Sequence, residues 1–339
     1  MLTELGITLP VLAAPMAGGP TTNELVIAAG RTGSMGFLAG GYKTPQALAE
    51  QIAAVRAEGV PFGVNLFAPN PVPVSAEDYR EYREALLDEA AEHGAQLPEE
   101  PVEDDDHWRA KVDLLLADPV PVVSFTFGLP DREVIAELRE AGSVVVQTVT
   151  SADEARLAAD AGVRALVVQA AAAGGHSATL TPERTPPEVP LPQLIGEVRE
   201  VTDLPLLGAG GIGEPADVAA VVGAGAEGVV VGTALLRTHE SRASAPHQAA
   251  LIDPAFDATV VTRAFTGRPA RALRNHFTDS YDAIAPTAYP ALHHLTSPLR
   301  KAATAAGDTR LIHLWAGTAH REARAEPAAE TLTRLAEAL

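Results

Sequence analysis

Residues Leu204–Gly232 read LPLLGAGGIGEPADVAAVVGAGAEGVVVG and contain two short apolar runs on either side of a helix-like stretch. The runs, Leu204–Gly208 and Gly228–Gly232, lack strict alternation of apolar and polar residues, as is typical of parallel strands covered on both faces. Pro215 opens the stretch between them, where proline in the first helical turn sacrifices no hydrogen bond. The segment therefore predicts a strand–helix–strand unit of a parallel sheet.

The same rhythm extends towards the N-terminus, where six further apolar runs alternate with helix-like segments. These runs are Val11–Ala14, Met35–Leu38, Phe62–Phe67, Val120–Thr126, Val144–Thr148 and Ala165–Ala170. Eight strand–helix units favour a closed (β/α)8, or TIM, barrel over an open sheet. A chain of 339 residues suits such a barrel with insertions. The predicted fold class is therefore α/β.

Two stretches interrupt the rhythm and define the predicted domains. Residues 68–119, approximately, form an insertion with an amphipathic helix, a Pro- and acid-rich linker and a second helix. Residues 238–310 are polar, rich in Arg and His, and show no clear strand, which predicts a smaller helical substrate or lid subdomain over the barrel mouth. The barrel itself is predicted at 1–237, and LIHLWAG is predicted to return the chain to it over 311–339.

The composition excludes several classes of function. The chain has no cysteine, so disulfides, thiolate metal sites and cysteine nucleophiles are excluded. Its net charge of −19 disfavours nucleic acid or an anionic membrane as a partner. No basic segment precedes the first apolar stretch, and no apolar run approaches the ~20 residues that span a bilayer. We expect a cytoplasmic protein; a homo-oligomer is compatible with the sequence.

Glycine-rich loops follow the seventh and eighth predicted strands, where many barrels bind phosphate. Glycine lets the backbone approach a ligand closely, and its N–H group can point at an anion. Gly210, Gly211, Ile212, Gly232 and Thr233 occupy these places. Tight turns are the alternative explanation for either loop alone, but both loops in this order favour phosphate.

His176 is the strongest single candidate for a catalytic residue, because it follows Gly174 and Gly175 just beyond a predicted buried strand. Glycines there leave room for a flat ligand, and an imidazole can donate a hydrogen bond or accept a proton near neutral pH. A loop histidine bonded to backbone is the alternative. The other histidines show no metal-ligand spacing, so no metal site is predicted. Arg268, Arg271 and Arg274 could hold an anionic substrate, but a structural salt-bridge face is the favoured interpretation.

Taken together, the motifs resemble the class I nitronate monooxygenases, formerly called 2-nitropropane dioxygenases. The resemblance covers nearly the whole chain apart from the acidic insertion around residues 75–115. It rests on seven motifs in the same order: AAPMAGG (13–19), GVNLF (63–67), VVSFTFG (122–128), GGH (174–176), LLGAGGI (206–212), VVVGTALL (229–236) and GRPARALRN (267–275).

The resemblance implies a barrel that holds FMN non-covalently and oxidises nitronates, such as propionate 3-nitronate, or nitroalkanes with O₂ to a carbonyl compound and nitrite. His176 matches the family's active-site histidine, which would orient the nitro group and act as base towards a neutral nitroalkane. The implied FMN-binding residues are Ala14, Pro15 and Met16 against the flavin, Asn65 and Gln147 at its edge, Gly174 and Gly175 lining the site, and Gly210, Gly211, Gly232 and Thr233 at the phosphate.

The chain departs from the family pattern around the histidine. The family usually has Q-G-x-E-A-G-G-H-R, whereas residues 169–177 read QAAAAGGHS and lack the acidic residue and the arginine. Thr318 stands where the family often has glutamine. Three alternatives stay open: a flavin-dependent enoyl-thioester reductase, an NAD(P)H:quinone reductase on the same scaffold, and a flavin-binding protein without turnover.

Overall fold

The computed structural model describes residues 1–339 and contains a closed barrel of eight parallel strands. All eight predicted strands are confirmed, and the predicted (β/α)8 barrel with them. The barrel strands, in order around the barrel, are β1 (Val11–Ala13), β2 (Gly36–Ala39), β3 (Phe62–Ala68), β4 (Val122–Phe127), β5 (Val144–Val149), β6 (Ala165–Gln169), β8 (Leu206–Ala209) and β9 (Gly228–Val231); β7 (Gly175–His176) lies outside it.

Eight helices alternate with these strands and cover the outside of the barrel. Side chains of Thr22, Thr44 and Ser151 accept backbone N–H groups at three of the helix starts, as N-cap residues do. No helix of the chain has the length and apolar character needed to cross a membrane. The barrel helices are α1 (Asn23–Arg31), α2 (Pro45–Arg56), α5 (Trp108–Ala117), α6 (Arg132–Glu140), α7 (Ala152–Ala161), α8 (Leu191–Arg199), α9 (Pro215–Gly223) and α13 (Ala328–Leu335).

The strands carry apolar side chains on both faces, which explains why their sequences do not alternate. One apolar cluster, including Leu12, Phe37 and Leu207, is separate from the larger cluster that joins the strands to the helices. Leu2 and Ile7 from the N-terminal segment belong to that smaller cluster. The barrel is therefore filled, and its chemistry is restricted to the loops at its carboxyl end.

Residues 238–310, predicted as a helical subdomain with no clear strand, contain two short strands as well as helices. This region contains β10 (Thr259–Thr262) and β11 (Ala270–Leu273), which pair in antiparallel fashion, and β11 also pairs with β7. Each strand has four residues or fewer, and β11 includes a buried arginine, so no local pattern marked them. Two short helices, α10 (Ala245–Ala250) and α11 (His276–Tyr281), and the longer α12 (Ala291–Ala306) complete the region.

The insertion packs against this region and shares its apolar core. Helix α3 (Ala76–Ala85) contributes Tyr79 and Tyr82 to a cluster with Phe265 and Leu295, and Leu86, between α3 and α4 (Leu87–Glu92), belongs to the same cluster. The Tyr82 hydroxyl donates to the Ala264 carbonyl oxygen at 2.6 Å. We call residues 76–97 and 243–316 together the cap.

The C-terminal segment connects the cap to the barrel. Leu311, Ile312 and Leu314 lie in the apolar core of the cap, and Trp315 forms an isolated bridge to Ala272 of β11. The chain then meets the barrel at Gly317, whose N–H donates to Thr233 Oγ1, and α13 packs against α1. The exact division at residues 237/238 and 310/311 stays a prediction.

Candidate functional site

The loops after β6, β8 and β9 meet at the carboxyl end of the barrel, together with residues 317–318. A Cβ atom on Gly174 would lie 2.8 Å from Thr233 Oγ1 and 2.5 Å from the Gly317 nitrogen. A Cβ atom on Gly210 would lie 2.8 Å from the Ala173 nitrogen. These close approaches require glycine, so the structure brings together the glycines that the sequence singled out.

Unpaired backbone donors line this meeting point. The N–H groups of Gly210, Gly211 and Ile212 donate to no protein acceptor, and neither do those of Gly232 and Thr233. Gly210 and Gly211 have φ angles of 109° and 75°, in the left-handed region that favours glycine. Successive free N–H groups in such a conformation form an anion-binding concavity. The arrangement can hold a phosphate group.

Asn65 in β3 and Gln147 in β5 are buried, and each presents a side-chain oxygen to which no protein group donates a hydrogen bond. Gln147 Nε2 donates to the carbonyl oxygens of Gly128 and Thr148 at 3.2 and 3.0 Å, which leaves its buried Oε1 without a donor. Asn65 Nδ2 donates to Ser124 Oγ at 3.0 Å, and no protein group donates to its Oδ1. Because a buried acceptor without a partner is costly, the Gln147 oxygen points to a ligand with an N–H donor, and Asn65 Oδ1 is free to accept from the same ligand.

Ala14, Pro15 and Met16 follow β1 and are half-buried at the same end of the barrel. Met16 donates its N–H to Thr21 Oγ1 at 2.8 Å, which fixes the turn. A Cβ atom on Gly232 would lie 3.6 Å from Met16 Sδ, so the loops after β1 and β9 are adjacent. This segment therefore offers apolar surface beside the free N–H groups of the β9 loop.

His176 lies in β7, where it pairs with Ala270 of β11, and its ring joins the barrel mouth to the cap. Its Nε2 is 2.9 Å from Thr266 Oγ1, whereas Nδ1 has no protein partner. Its carbonyl oxygen accepts a hydrogen bond from Gln169 Nε2 at 3.2 Å. Both the backbone and one ring nitrogen are therefore held, and the other nitrogen is free for a ligand.

Burial, together with the nearby charges of Arg268 and Arg300, lowers the pKa of His176 to about 3. A folded-state pKa this far below the usual value keeps the imidazole uncharged at neutral pH. An uncharged ring donates a hydrogen bond at one nitrogen and accepts one at the other. It is, however, a poor proton acceptor for a weakly acidic C–H group.

Three aromatic rings surround His176. The centroids of Trp315, Phe127 and Tyr289 lie 5.2, 5.5 and 6.0 Å from that of the imidazole. Nothing in the sequence marked Tyr289, Trp315 and Thr266, because they come from distant cap segments and form no local motif. Only long-range packing brings them to the histidine.

The three arginines of the GRPARALRN motif point to different places. Arg268 is buried, lies 4.2 Å over the Phe127 ring and donates to the carbonyl oxygens of Ser177 and Thr179. Arg271 donates to the Ala171 carbonyl oxygen at 2.6 Å, and Arg274 is exposed and pairs with Asp279. They do not form a common anion site, which supports the structural interpretation.

The segment after His176 is also held by a buried carboxylate from a neighbouring helix. Glu154 Oε1 accepts from Thr179 Oγ1 at 2.8 Å and from the Leu180 N–H at 2.7 Å. Its Oε2 accepts from both the N–H and the hydroxyl of Thr150. Arg268 and Glu154 thus both fix the loop by hydrogen bonds. No local motif marked Glu154, since its helix lies well outside the loop.

A cavity of about 440 Å³ adjoins the histidine and is bounded by both the barrel and the cap. Phe127 and Tyr289 line it and also contact His176, so they form a shared wall. Its volume falls in the usual range of small-molecule sites, about 300–1,000 Å³. Charged side chains of both signs line the remainder: Lys43, Lys301, Asp104, Asp105 and Asp106.

Comparison with known proteins gives a consistent result over the full length. A family model described as nitronate monooxygenase matches residues 1–337. A probable nitronate monooxygenase of Staphylococcus aureus (strain Newman) is 35% identical over 329 residues, which are 96% of this chain and 92% of that protein.

Two solved structures are similar to this one. The structure of nitroalkane oxidase from Streptomyces ansochromogenes is 47% identical with a TM-score of 0.93, covering 99% of this chain and 96% of that one. FabK from Thermotoga maritima is 25% identical with a TM-score of 0.77, covering 98% and 94%.

Proposed function

This chain belongs to the nitronate monooxygenase family, and on that premise we propose that it oxidises nitronates with FMN and O₂ to a carbonyl compound and nitrite. The observation that carries the proposal is the position of His176. Its uncharged imidazole lies at the carboxyl end of the barrel, beside aromatic rings and close to a ligand cavity. The similar nitroalkane oxidase supports nitro compounds as the substrate class.

The residues present fit FMN. The buried Gln147 Oε1 lacks a donor and suits an N–H group of the flavin ring, as does the unpaired Asn65 Oδ1. The free N–H groups of Gly210, Gly211 and Thr233 suit the phosphate. When bound, FMN supplies the electron-accepting chemistry of the reaction, and the protein supplies binding and orientation.

His176 would bind the nitro group of the substrate. The Thr266 hydroxyl is hydrogen bonded to Nε2 of His176 and fixes the ring, so Nδ1 of His176 is available to a nitro oxygen. Because the Thr266 hydroxyl can donate to Nε2, the tautomer with the proton on Nδ1 is compatible with this role. His176 would then stabilise negative charge on the nitro group without carrying a charge itself.

The low pKa of His176 favours the nitronate over the nitroalkane as the substrate. A nitronate is already deprotonated at carbon, so its oxidation needs no base. A neutral nitroalkane must lose a C–H proton first, and a group whose pKa is about 3 accepts that proton poorly.

The cap would exclude water from the reacting atoms. Tyr289 and Trp315 reach His176 from the cap, whereas Phe127 reaches it from β4 of the barrel. Closing a site with apolar rings strengthens the polar interactions inside it, because the surroundings screen charge less.

The proposal is tested by mixing the FMN-loaded protein with a nitronate in air. We expect O₂ consumption together with release of nitrite and a carbonyl compound, without added nicotinamide. A protein that consumes NADH with an enoyl thioester or a quinone, and leaves nitronate untouched, would contradict the proposal.

A further inference from the structure

Arg300 is a buried cation that the barrel site does not account for. It lies on α12 and is only 5% exposed. Nε donates to Thr296 Oγ1 at 2.9 Å, and Nη2 donates to the His293 carbonyl oxygen at 2.8 Å. Its polar partners are Thr296 and His293, so no carboxylate pairs with the guanidinium. Such a charge lowers the stability of the fold unless it is balanced.

The charge of Arg300 lies directly behind the wall of the cavity. Its Nη2 is 3.4 Å from Nδ1 of His293, which lines the cavity and stacks on Tyr42 with the centroids 4.2 Å apart. The Tyr289 ring follows, 6.3 Å from His293 and 6.0 Å from His176. Two rings thus separate the guanidinium from the candidate catalytic histidine, and they offer little screening.

The carboxylates that line the cavity, Asp104, Asp105 and Asp106, are paired with other cations or exposed to solvent. Asp106 pairs with Lys111 at 2.7 Å, Asp104 pairs with His294 at 2.6 Å, and Asp105 is exposed. The ionisable neighbours on the cap side are His293 and His313, and on the barrel side His176; burial is the main cause of the lowered pKa of each, and Arg300 lowers all three further. Arg268 adds a second buried guanidinium near His176, but Glu154 and Glu183 act on its charge. Arg300 therefore remains the uncompensated cation.

We propose that Arg300 determines specificity: its positive field makes the site select an anionic nitronate over the neutral nitroalkane. The proposal rests on the proposed function and specifies the protonation state of its substrate. A charge in a buried region acts at longer range than one in water. Lys301, the next residue, is exposed, so its charge is screened. Because the guanidinium contacts His293 and not the reacting atoms, it acts through the field and not as a catalytic residue.

Two substitutions separate charge from packing. Arg300→Gln removes the charge and keeps a donor for Thr296 or the His293 carbonyl oxygen, whereas Arg300→Lys keeps the charge. With ethylnitronate and nitroethane as the two forms of one substrate, we expect Arg300→Gln to raise the KM for the nitronate about tenfold. The KM for nitroethane should change little, and Arg300→Lys should stay near wild type for both. Arg274→Gln removes an exposed arginine and serves as the control.

A binding measurement tests the same field without turnover. Inorganic nitrite, a small anion, can be titrated into the FMN-loaded protein and followed calorimetrically. We expect Arg300→Gln to weaken nitrite binding about tenfold and Arg300→Lys to preserve it. Should the wild-type protein turn over no nitronate, the proposed function would fail, and nitrite binding would still decide the role of Arg300.

Titration of the histidines by NMR gives a third measurement, the pKa of His293, which a change in packing alone should leave unchanged. Removing the guanidinium should raise the pKa of His293, its nearest ionisable neighbour, while Arg300→Lys leaves it low. If Arg300→Gln and Arg300→Lys change the KM and the nitrite affinity equally, the proposal fails, because a purely structural role of Arg300 would then explain both changes. So would an Arg300→Gln variant with full FMN and unchanged nitronate KM.

Arg300→Gln should also fold at least as well as the wild type, since it removes an unbalanced buried charge. Equal or higher thermal stability with weaker anion binding is the expected combination. If Arg300→Gln does not fold, Arg300→Met in the same assays replaces it, with an apolar side chain of similar length.

Discussion

The imidazole of His176 has one nitrogen bonded to Thr266 and one nitrogen without a protein partner. That asymmetry is what a residue needs to be held by the protein and also to bind a ligand. Its position after Gly174 and Gly175 was visible in the sequence. The hydroxyl that holds it and the two cap rings that enclose it come from residues 266, 289 and 315, so only the fold reveals them.

His176→Ala should retain FMN and lose most turnover, because none of the proposed FMN contacts involves its side chain. We expect kcat/KM for a nitronate to fall by about a hundredfold, a typical loss for a well-placed polar group in an active site. Flavin absorbance measures retention, and nitrite release measures turnover. His239→Ala, at an exposed histidine, is the matched control; unchanged kinetics in His176→Ala would remove the residue from the mechanism.

Gly211→Asp should yield colourless protein, because the carboxylate would be placed among the N–H groups proposed to bind phosphate. The φ angle of 75° strains any side chain there, so Gly211→Asn controls for strain without charge. Gly59→Asp, at an exposed glycine with φ 67°, controls for the same substitution elsewhere. A fully yellow, folded Gly211→Asp protein would refute the phosphate assignment.

At the scale of elements, the barrel strands were predictable and the cap sheet was not. Each barrel strand is a buried apolar run between turn residues, which is a local signal. Strands β7, β10 and β11 are two to four residues long, and β11 pairs both with the neighbouring β10 and with β7, which lies more than ninety residues earlier in the chain. Such short pairings leave no periodicity in any single segment, which is why no strand was predicted in this region.

The loop that carries His176 depends on one buried carboxylate of α7. Glu154→Gln replaces an oxygen that accepts two hydrogen bonds with an NH₂ group that cannot accept either. We expect a loss of about 2–3 kcal/mol of unfolding free energy, measured by urea denaturation. Glu58→Gln, at an exposed residue paired with Arg31, should change stability little. Equal stabilities of the two variants would show that Glu154 does not brace the loop.

At the scale of the whole molecule, the insertion and the C-terminal region form one cap on one barrel. The sequence marked both stretches as interruptions but could not show that they share an apolar core. Tyr82 and Ala264 are far apart in the chain, and their hydrogen bond is a consequence of that packing. The composition predicted a chain that needs no disulfide, and two large apolar cores provide its stabilisation.

Buried neutral histidines should make the stability of the whole protein depend on pH. The pKa of His176 is about 3 and that of His247 about 4, mainly because of burial. Below the unfolded-state value near 6.5, the unfolded chain binds protons that the folded chain does not, so stability falls as the pH drops.

At pH 5 each of these two groups should lower the unfolding free energy by about 2 kcal/mol relative to pH 8. Calorimetric Tm values across that range check the prediction. His247→Gln should reduce the dependence by about one proton, since glutamine does not titrate. A Tm that does not change between pH 8 and 5 would show that these imidazoles are not buried in the neutral form.

The most direct test of the central claim is anaerobic mixing of the yellow protein with propionate 3-nitronate in one cuvette and with NADH in another, following flavin absorbance. If the protein oxidises nitronates, the nitronate should bleach the flavin absorbance and NADH should not. Bleaching by NADH alone would contradict the proposed function and indicate a reductase, with enoyl thioesters and quinones as the substrates to test.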